Sequence, residues 1–264
     1  QYTWSQLASR YGTGDDTSEN GISLYHASNY ATIYGDGSDL FYDDSVNFVI
    51  QDGVLTKYNG WQKLVKIPDT VTAIGKEAFK NNTTMISVDI PGTVTSIGDS
   101  AFYGCTALLG VIIPDSVQSV GSSCFYGCTK LAYAQLPDGQ LIAISAKMFY
   151  GCYSLQNIQI PDTVINIYDG AFYRCTNMRQ AILSENLSGI GSTAFYECKS
   201  LVMVDFPKSL TNISYSAFYG CNNLKEIKLP SQLKEIGVSA FANCKAAESI
   251  YIPKSLQQVN DVIS

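Results

Sequence analysis

Short segments in which apolar residues alternate with polar ones recur along most of the chain. In one of them, residues 224–229, the order is Leu-Lys-Glu-Ile-Lys-Leu, so that Ile227 and Leu229 flank a polar residue. A two-residue period predicts a short strand with one face buried. Pro230 follows directly, and it ends the strand because proline has no N–H to offer a neighbouring strand.

This strand and the proline step recur every 23 residues, with one interval of 24. The last apolar residues of the recurring strands are Ile67, Ile90, Ile113, Leu136, Ile160, Leu183, Phe206, Leu229 and Ile252. A phenylalanine follows at a constant distance in the first eight units, at Phe79, Phe102, Phe125, Phe149, Phe172, Phe195, Phe218 and Phe241. A unit of this size cannot bury its own apolar face, whereas stacked units share one core.

The remainder of each unit predicts two further elements. A Val-x-x-Ile-Gly step indicates a second short extended segment that a glycine turn closes. The Ala-Phe-x-x-Cys piece fits one helical turn that sets the alanine, phenylalanine and cysteine inward. We therefore predict a mostly β repeat solenoid with a parallel sheet on one face, and with short helical turns and a second short strand elsewhere in each unit.

Seven of the eight cysteines occupy one position of the repeat, and only Cys124 lies elsewhere. Stacked equivalent side chains lie about 5 Å apart, slightly beyond the Cβ spacing of a disulfide. A metal needs thiolates that converge on one point, which a linear column does not supply. We expect buried thiols that pack as small hydrophobic groups.

Composition and charge exclude several classes of function. The sequence pI near 4.8 argues against a nucleic-acid partner, and no apolar run approaches the ~20 residues of a membrane helix. His26 is the only histidine, and no glycine-rich phosphate loop is present. We expect no enzyme activity, no metal and no cofactor.

Residues 1–60 lack the repeat and carry the whole net charge of −6, with eight acidic and two basic residues. We interpret them as an acidic, Tyr-rich N-terminal cap region that ends in a hairpin with an Asp52-Gly53 turn. Residues 61–264 are the predicted solenoid, with about eight full units and a partial ninth.

The acidic loops of residues 1–60 match only half of a calcium-binding loop, because Ala27 stands where a bidentate Glu is needed. Solvated loops are therefore favoured over a calcium site. The chain begins without Met or a signal segment, which suggests a trimmed or mature form.

The repeat Leu-x-x-Ile-x-Ile-Pro-x-x-Val-x-x-Ile-Gly-x-x-Ala-Phe-x-x-Cys resembles the BspA-like class of leucine-rich repeats, from Ile67 to about Val259. The departures are modest, and include Asn82 for the cysteine, Ser184 for the proline, and Ser145 and Tyr168 for the glycine. The resemblance implies a secreted or cell-surface bacterial protein used in adhesion and protein binding.

In such a solenoid the outward positions of the strands form columns, and neighbouring apolar residues merge into patches that often mark interaction sites. The tentative partner-binding residues are Ile86, Leu109, Ile112, Tyr133, Ile182, Val202 and Met203. Exposed β-branched residues are also ordinary in strands, so a surface without a partner stays open as the alternative. Two other functions stay open as well, namely carbohydrate binding by the Tyr-rich N-terminal region and an architectural spacer within a larger surface protein.

Overall fold

The computed structural model describes residues 45–256, which lie in the second of the two units into which the chain divides, Asp44–Ser264. A short 3-10 helix, Ser45–Asn47, leads into the antiparallel strands β1 (Phe48–Gln51) and β2 (Val54–Tyr58). Asp52 and Gly53 connect them with φ angles of 49° and 77°, which is the left-handed geometry that a two-residue hairpin turn requires.

Each repeat unit then contributes one three-residue strand, except the unit of Met203, which forms only an isolated bridge with Gln180. These strands are β3 (Leu64–Lys66), β5 (Ser87–Asp89), β7 (Gly110–Ile112), β9 (Tyr133–Gln135), β11 (Asn157–Gln159), β13 (Gln180–Ile182), β16 (Glu226–Lys228) and β18 (Ser249–Tyr251). They pair in parallel as β3–β5, β7–β9, β11–β13 and β16–β18. Backbone bonds such as Leu109 N–H to the Ile86 carbonyl (3.0 Å) connect one pair to the next. We call this surface the long-strand sheet; it is the parallel sheet that the sequence predicted.

Each unit also contributes a two-residue strand, and these form the longer ladders. They are β4 (Ala73–Ile74), β6 (Ser96–Ile97), β8 (Ser119–Val120), β10 (Ala143–Ile144), β12 (Asn166–Ile167), β14 (Gly189–Ile190), β15 (Asn212–Ile213) and β17 (Glu235–Ile236). One five-stranded sheet has the order β1-β2-β4-β6-β8, and the other has β10-β12-β14-β15-β17. We call these two together the short-strand sheet.

The break in the short-strand sheet coincides with the 24-residue unit. The extra residue lies between Pro137 and Leu141, immediately before β10. Ser145, which replaces the usual glycine, donates its hydroxyl to the Val120 carbonyl at 2.5 Å. A single inserted residue therefore separates the two ladders, while a side chain maintains a bond across the gap.

The segment between the short strand and the cysteine is a series of β-turns, and not the helical turn that the sequence predicted. In residues 98–105, Ala101 bonds back to the Gly98 carbonyl and Cys105 to that of Phe102, each over three residues. Ser100 and Gly104 have φ angles of 56° and 70°, and a left-handed residue at every fourth position is incompatible with a right-handed helix. The predicted inward placement is confirmed, since Ala101, Phe102 and Cys105 are fully buried.

The core is organised as columns that run through the stacked units. The eight phenylalanine rings stack face to face with centroids 4.8–5.5 Å apart, and Tyr58 and Phe48 extend the column into the hairpin. Every cysteine of the recurring position donates its thiol to the carbonyl of a phenylalanine in the preceding unit, at 3.1–3.3 Å. The thiols thus satisfy a buried carbonyl as well as filling space.

Candidate functional surface

The outer side of the long-strand sheet carries all seven residues that the sequence singled out. Because side chains alternate along a strand, each central residue enters the core and its neighbours face outward. Leu109, Ile182, Val202 and Met203 are exposed, by 40%, 43%, 42% and 52%. Ile86, Ile112 and Tyr133 are half-buried.

Ile182, Val202 and Met203 form one exposed apolar group on two neighbouring units. Met203 pairs with Gln180, which is two residues before Ile182 on the same side of β13. The Val202 N–H donates to the Arg179 carbonyl at 3.2 Å, which fixes Val202 in the adjacent column. This group is the largest exposed apolar feature among the seven residues.

The group around Leu109 is less exposed than the sequence suggested. Equivalent side chains of stacked strands lie only about 4.8 Å apart, so each covers part of the next. Tyr133 is held along its own strand, because its hydroxyl donates to Oε1 of Gln135 at 2.9 Å. Its ring lies against Gly110, where a Cβ atom would stand 3.8 Å from Cδ1 of the tyrosine.

The middle of the long-strand sheet is uncharged. Between Asp89 and Arg179 the outward positions are Leu109, Gly110, Ile112, Ala132, Tyr133, Gln135, Gln156, Asn157 and Gln159. Charged residues return beyond it, and Lys228 and Glu226 form a salt bridge of 3.0 Å. The hydrogen bond to Glu226 and the charge of that carboxylate raise the pKa of Lys228. The sequence-based prediction of partner-binding residues included apolar members of this stretch but none of its amides.

A second surface feature was missed at the sequence level: a ladder of six tyrosines next to the buried phenylalanines. The rings of Tyr103, Tyr126, Tyr150, Tyr173, Tyr196 and Tyr219 stack in parallel with centroids 4.3–4.8 Å apart. The signal was present, since a tyrosine follows the recurring phenylalanine in six of the eight units.

A cation lies close to each of two ladder rings, and desolvation and the neighbouring phenols raise the pKa of a third. Lys80 Nζ lies 5.6 Å from the centroid of Tyr103, and the Arg174 guanidinium lies 5.5 Å from that of Tyr173. Desolvation and the neighbouring phenols raise the pKa of Tyr150 to about 12. The ring faces are used in stacking, so the ladder presents mainly ring edges and neutral hydroxyls to solvent.

Several sequence-based hypotheses concern residues outside the described part of the chain. They are His26, the acidic loops considered for calcium, and the Tyr-rich segment considered for carbohydrate. Within residues 45–256, His, Cys, Asp and Glu side chains form no cluster that could hold a metal ion. In the same range there is no helix with the length and apolarity needed to cross a membrane.

Comparisons with known proteins agree on the fold. Residues 58–142 and 142–263 match the model of the BspA type leucine rich repeat region, in six copies. A leucine-rich repeat protein of Eubacterium ventriosum is 22% identical, with a TM-score of 0.61 over 83% of this chain and 55% of its own. A leucine rich cell surface protein of Faecalibacterium prausnitzii is 24% identical, with a TM-score of 0.55 over 79% of this chain and 75% of its own. This chain thus spans about half of the Eubacterium protein. A comparison with curated proteins finds no match.

Proposed function

The chain belongs to the family of BspA type leucine rich repeat proteins, and from this premise we propose that it is a bacterial binding module, secreted or displayed at the cell surface. It binds a partner protein through the long-strand sheet and performs no catalysis. Support for a surface location comes from the family and from the Faecalibacterium relative, which is described as a cell surface protein.

The observation that carries this proposal is the exposed apolar group of Ile182, Val202 and Met203. These side chains lie on two neighbouring units joined by the bridge between Gln180 and Met203, and other residues of the same segments, Ala181, Leu201 and Val204, are buried in the core. Contiguous exposed apolar side chains with polar neighbours are typical of protein interaction sites. Protein interfaces place such residues at their centre and charged residues at their rim, and here Arg179, Lys225 and Glu226 flank the group.

The test is capture of partner proteins by the immobilised chain. Proteins from bacterial surface and host extracellular fractions are passed over the chain and over the double variant Val202→Asp, Met203→Asp, and the bound proteins are compared by mass spectrometry. We expect a defined set of proteins on the native chain that the double variant loses, because two buried carboxylates would remain unpaired in the interface.

The matched control is Val238→Asp, since Val238 is also an exposed valine (47%) but lies next to the short-strand sheet. It should capture the same set as the native chain. Identical capture by the native chain and the double variant would refute the proposal.

A further inference from the structure

The uncharged middle of the long-strand sheet holds an array of amides beside one tyrosine. Four planar amide side chains lie on three neighbouring strands: Gln135 on β9, Asn157 and Gln159 on β11, and Gln180 on β13. Asn157 pairs with Gln180, and Gln159 pairs with Ile182, in a parallel ladder. All four are at least partly exposed.

The strand geometry gives this array a regular spacing. Outward residues two positions apart on one strand are about 7 Å apart, and equivalent residues on neighbouring strands are about 4.8 Å apart. Tyr133, Asn157 and Gln180 therefore form one row of three, and Gln135 and Gln159 lie in the row beside it. The array is long enough for a di- or trisaccharide.

The chemistry of the array matches that of an uncharged sugar. Each amide offers donors and an acceptor in one plane, and a sugar hydroxyl both donates and accepts. The ring of Tyr133 provides an apolar surface of the kind that packs against sugar C–H groups. The hydrogen bond to Gln135 orients this ring before any ligand arrives, which reduces the ordering cost of binding.

We propose that this array, formed by Tyr133, Gln135, Asn157, Gln159 and Gln180, binds neutral oligosaccharides. Charged side chains are absent from the outward positions of residues 109–159, and Arg179, next to Gln180, lies at the edge of the array. One cation is too few for glycans that carry several carboxylates or sulfates, so neutral glycans should be favoured. The site adjoins the apolar group, because Gln180 pairs with Met203 and Gln159 pairs with Ile182, but it uses different side chains and does not depend on a protein partner.

The experiment is a glycan microarray with the full chain, including neutral and acidic glycans, followed by calorimetric titration with the best neutral oligosaccharide. We expect neutral glycans to bind more tightly than acidic ones. Gln159→Ala should weaken binding about tenfold, which corresponds to the loss of one good hydrogen bond, and Tyr133→Ala should weaken it further. Gln118→Ala is the matched control, because Gln118 is an exposed amide beside the short-strand sheet, and it should bind like the native chain.

Three results would overturn the proposal: no neutral glycan bound, acidic glycans bound in preference, or unchanged affinity in Gln159→Ala. Because Gln159 is exposed, Gln159→Ala tests the site without disturbing the core. Tyr133→Phe is a second variant, which keeps the ring and removes only its hydroxyl. The single variant Val202→Asp should keep its glycan binding, because Val202 lies beside Arg179 and is not paired with a member of the array. Loss of protein capture with intact glycan binding, or the reverse, therefore identifies which of the two proposals has failed.

Discussion

The Cys152 thiol donates a hydrogen bond to the carbonyl of Phe125 in the preceding unit, at 3.1 Å, in a fully buried position. The same contact recurs along the column and ends at Asn82, where the side-chain amide donates to the Gly60 carbonyl at 3.2 Å instead. A donor at this position therefore joins each unit to the one before it, whether sulfur or nitrogen provides it.

Replacement of this donor should destabilise the solenoid. We expect Cys152→Ala to lower the free energy of unfolding by about 1–2 kcal/mol, because it leaves a small cavity and a carbonyl with one bond fewer. Cys152→Ser retains the donor and should cost less. The measurement is urea unfolding.

Cys124→Ala is the control for this series. Cys124 is equally buried but occupies the position where most other units have alanine, so its replacement should change stability by less than that of Cys152. Equal losses for the two alanine variants would show that the thiol contributes only its volume.

The thiols should also be unreactive in the folded chain. Burial raises the pKa of the Cys152 and Cys198 thiols far above the ordinary value, and the thiolate is the reactive form. Cys244 is half-buried, and desolvation raises its pKa to about 11, so it should be alkylated first. Peptide mapping after iodoacetamide treatment checks this order, and rapid labelling of Cys152 in the native chain would contradict the buried column.

The effect of replacing a glycine by alanine should depend on whether that glycine has a left-handed φ angle. A Cβ at Gly127 would meet nothing within 4 Å, yet the φ angle of this residue is +69°. Gly127→Ala should therefore cost about 1 kcal/mol through backbone strain alone. Gly92 also has open space around it, but no positive φ. Gly92→Ala should be neutral or stabilising by up to about 1 kcal/mol. Equal melting temperatures for the two variants would contradict the turn assignment.

The tyrosine ladder should make the solenoid sensitive to alkali. The pKa of Tyr150 lies at about 12 in the folded chain, compared with about 10 in an unfolded one. Its contribution to stability is therefore complete below pH 10 and is lost as the pH rises towards 12. Tyr150→Phe keeps the ring and should unfold at a higher pH than the native chain in an ultraviolet titration. An unchanged alkaline transition would mean that the stacked phenols do not govern it.

The sequence predicted the architecture because each unit repeats the same apolar positions. Even the departures are accommodated locally: Ser184, in place of proline, closes the same turn with a bond from Leu187 N–H to its carbonyl at 3.1 Å. The helical turn was predicted wrongly because an Ala-Phe-x-x-Cys spacing fits a helix equally well. Its left-handed residues include Ser100 and Lys147, which carry no glycine signal.

The surface was less predictable than the core. The sequence places both Ile112 and Met203 in outward columns. The exposed fraction of each side chain depends on how neighbouring strands cover it, and Met203 is exposed whereas Ile112 is half-buried. The tyrosine ladder could have been found from its spacing alone. The amide array needed the register of β11 and β13 before its rows became visible.

The most direct test of the central claim is hydrogen–deuterium exchange of the chain with and without a captured partner protein. We predict slower exchange on binding in peptides that cover residues 179–183 and 201–205, which carry Ile182, Val202 and Met203. The short-strand peptides around Ile167 and Ile190 should be unchanged. Protection confined to the short-strand sheet, with none over residues 179–183 and 201–205, would contradict the assignment of the long-strand sheet as the binding surface.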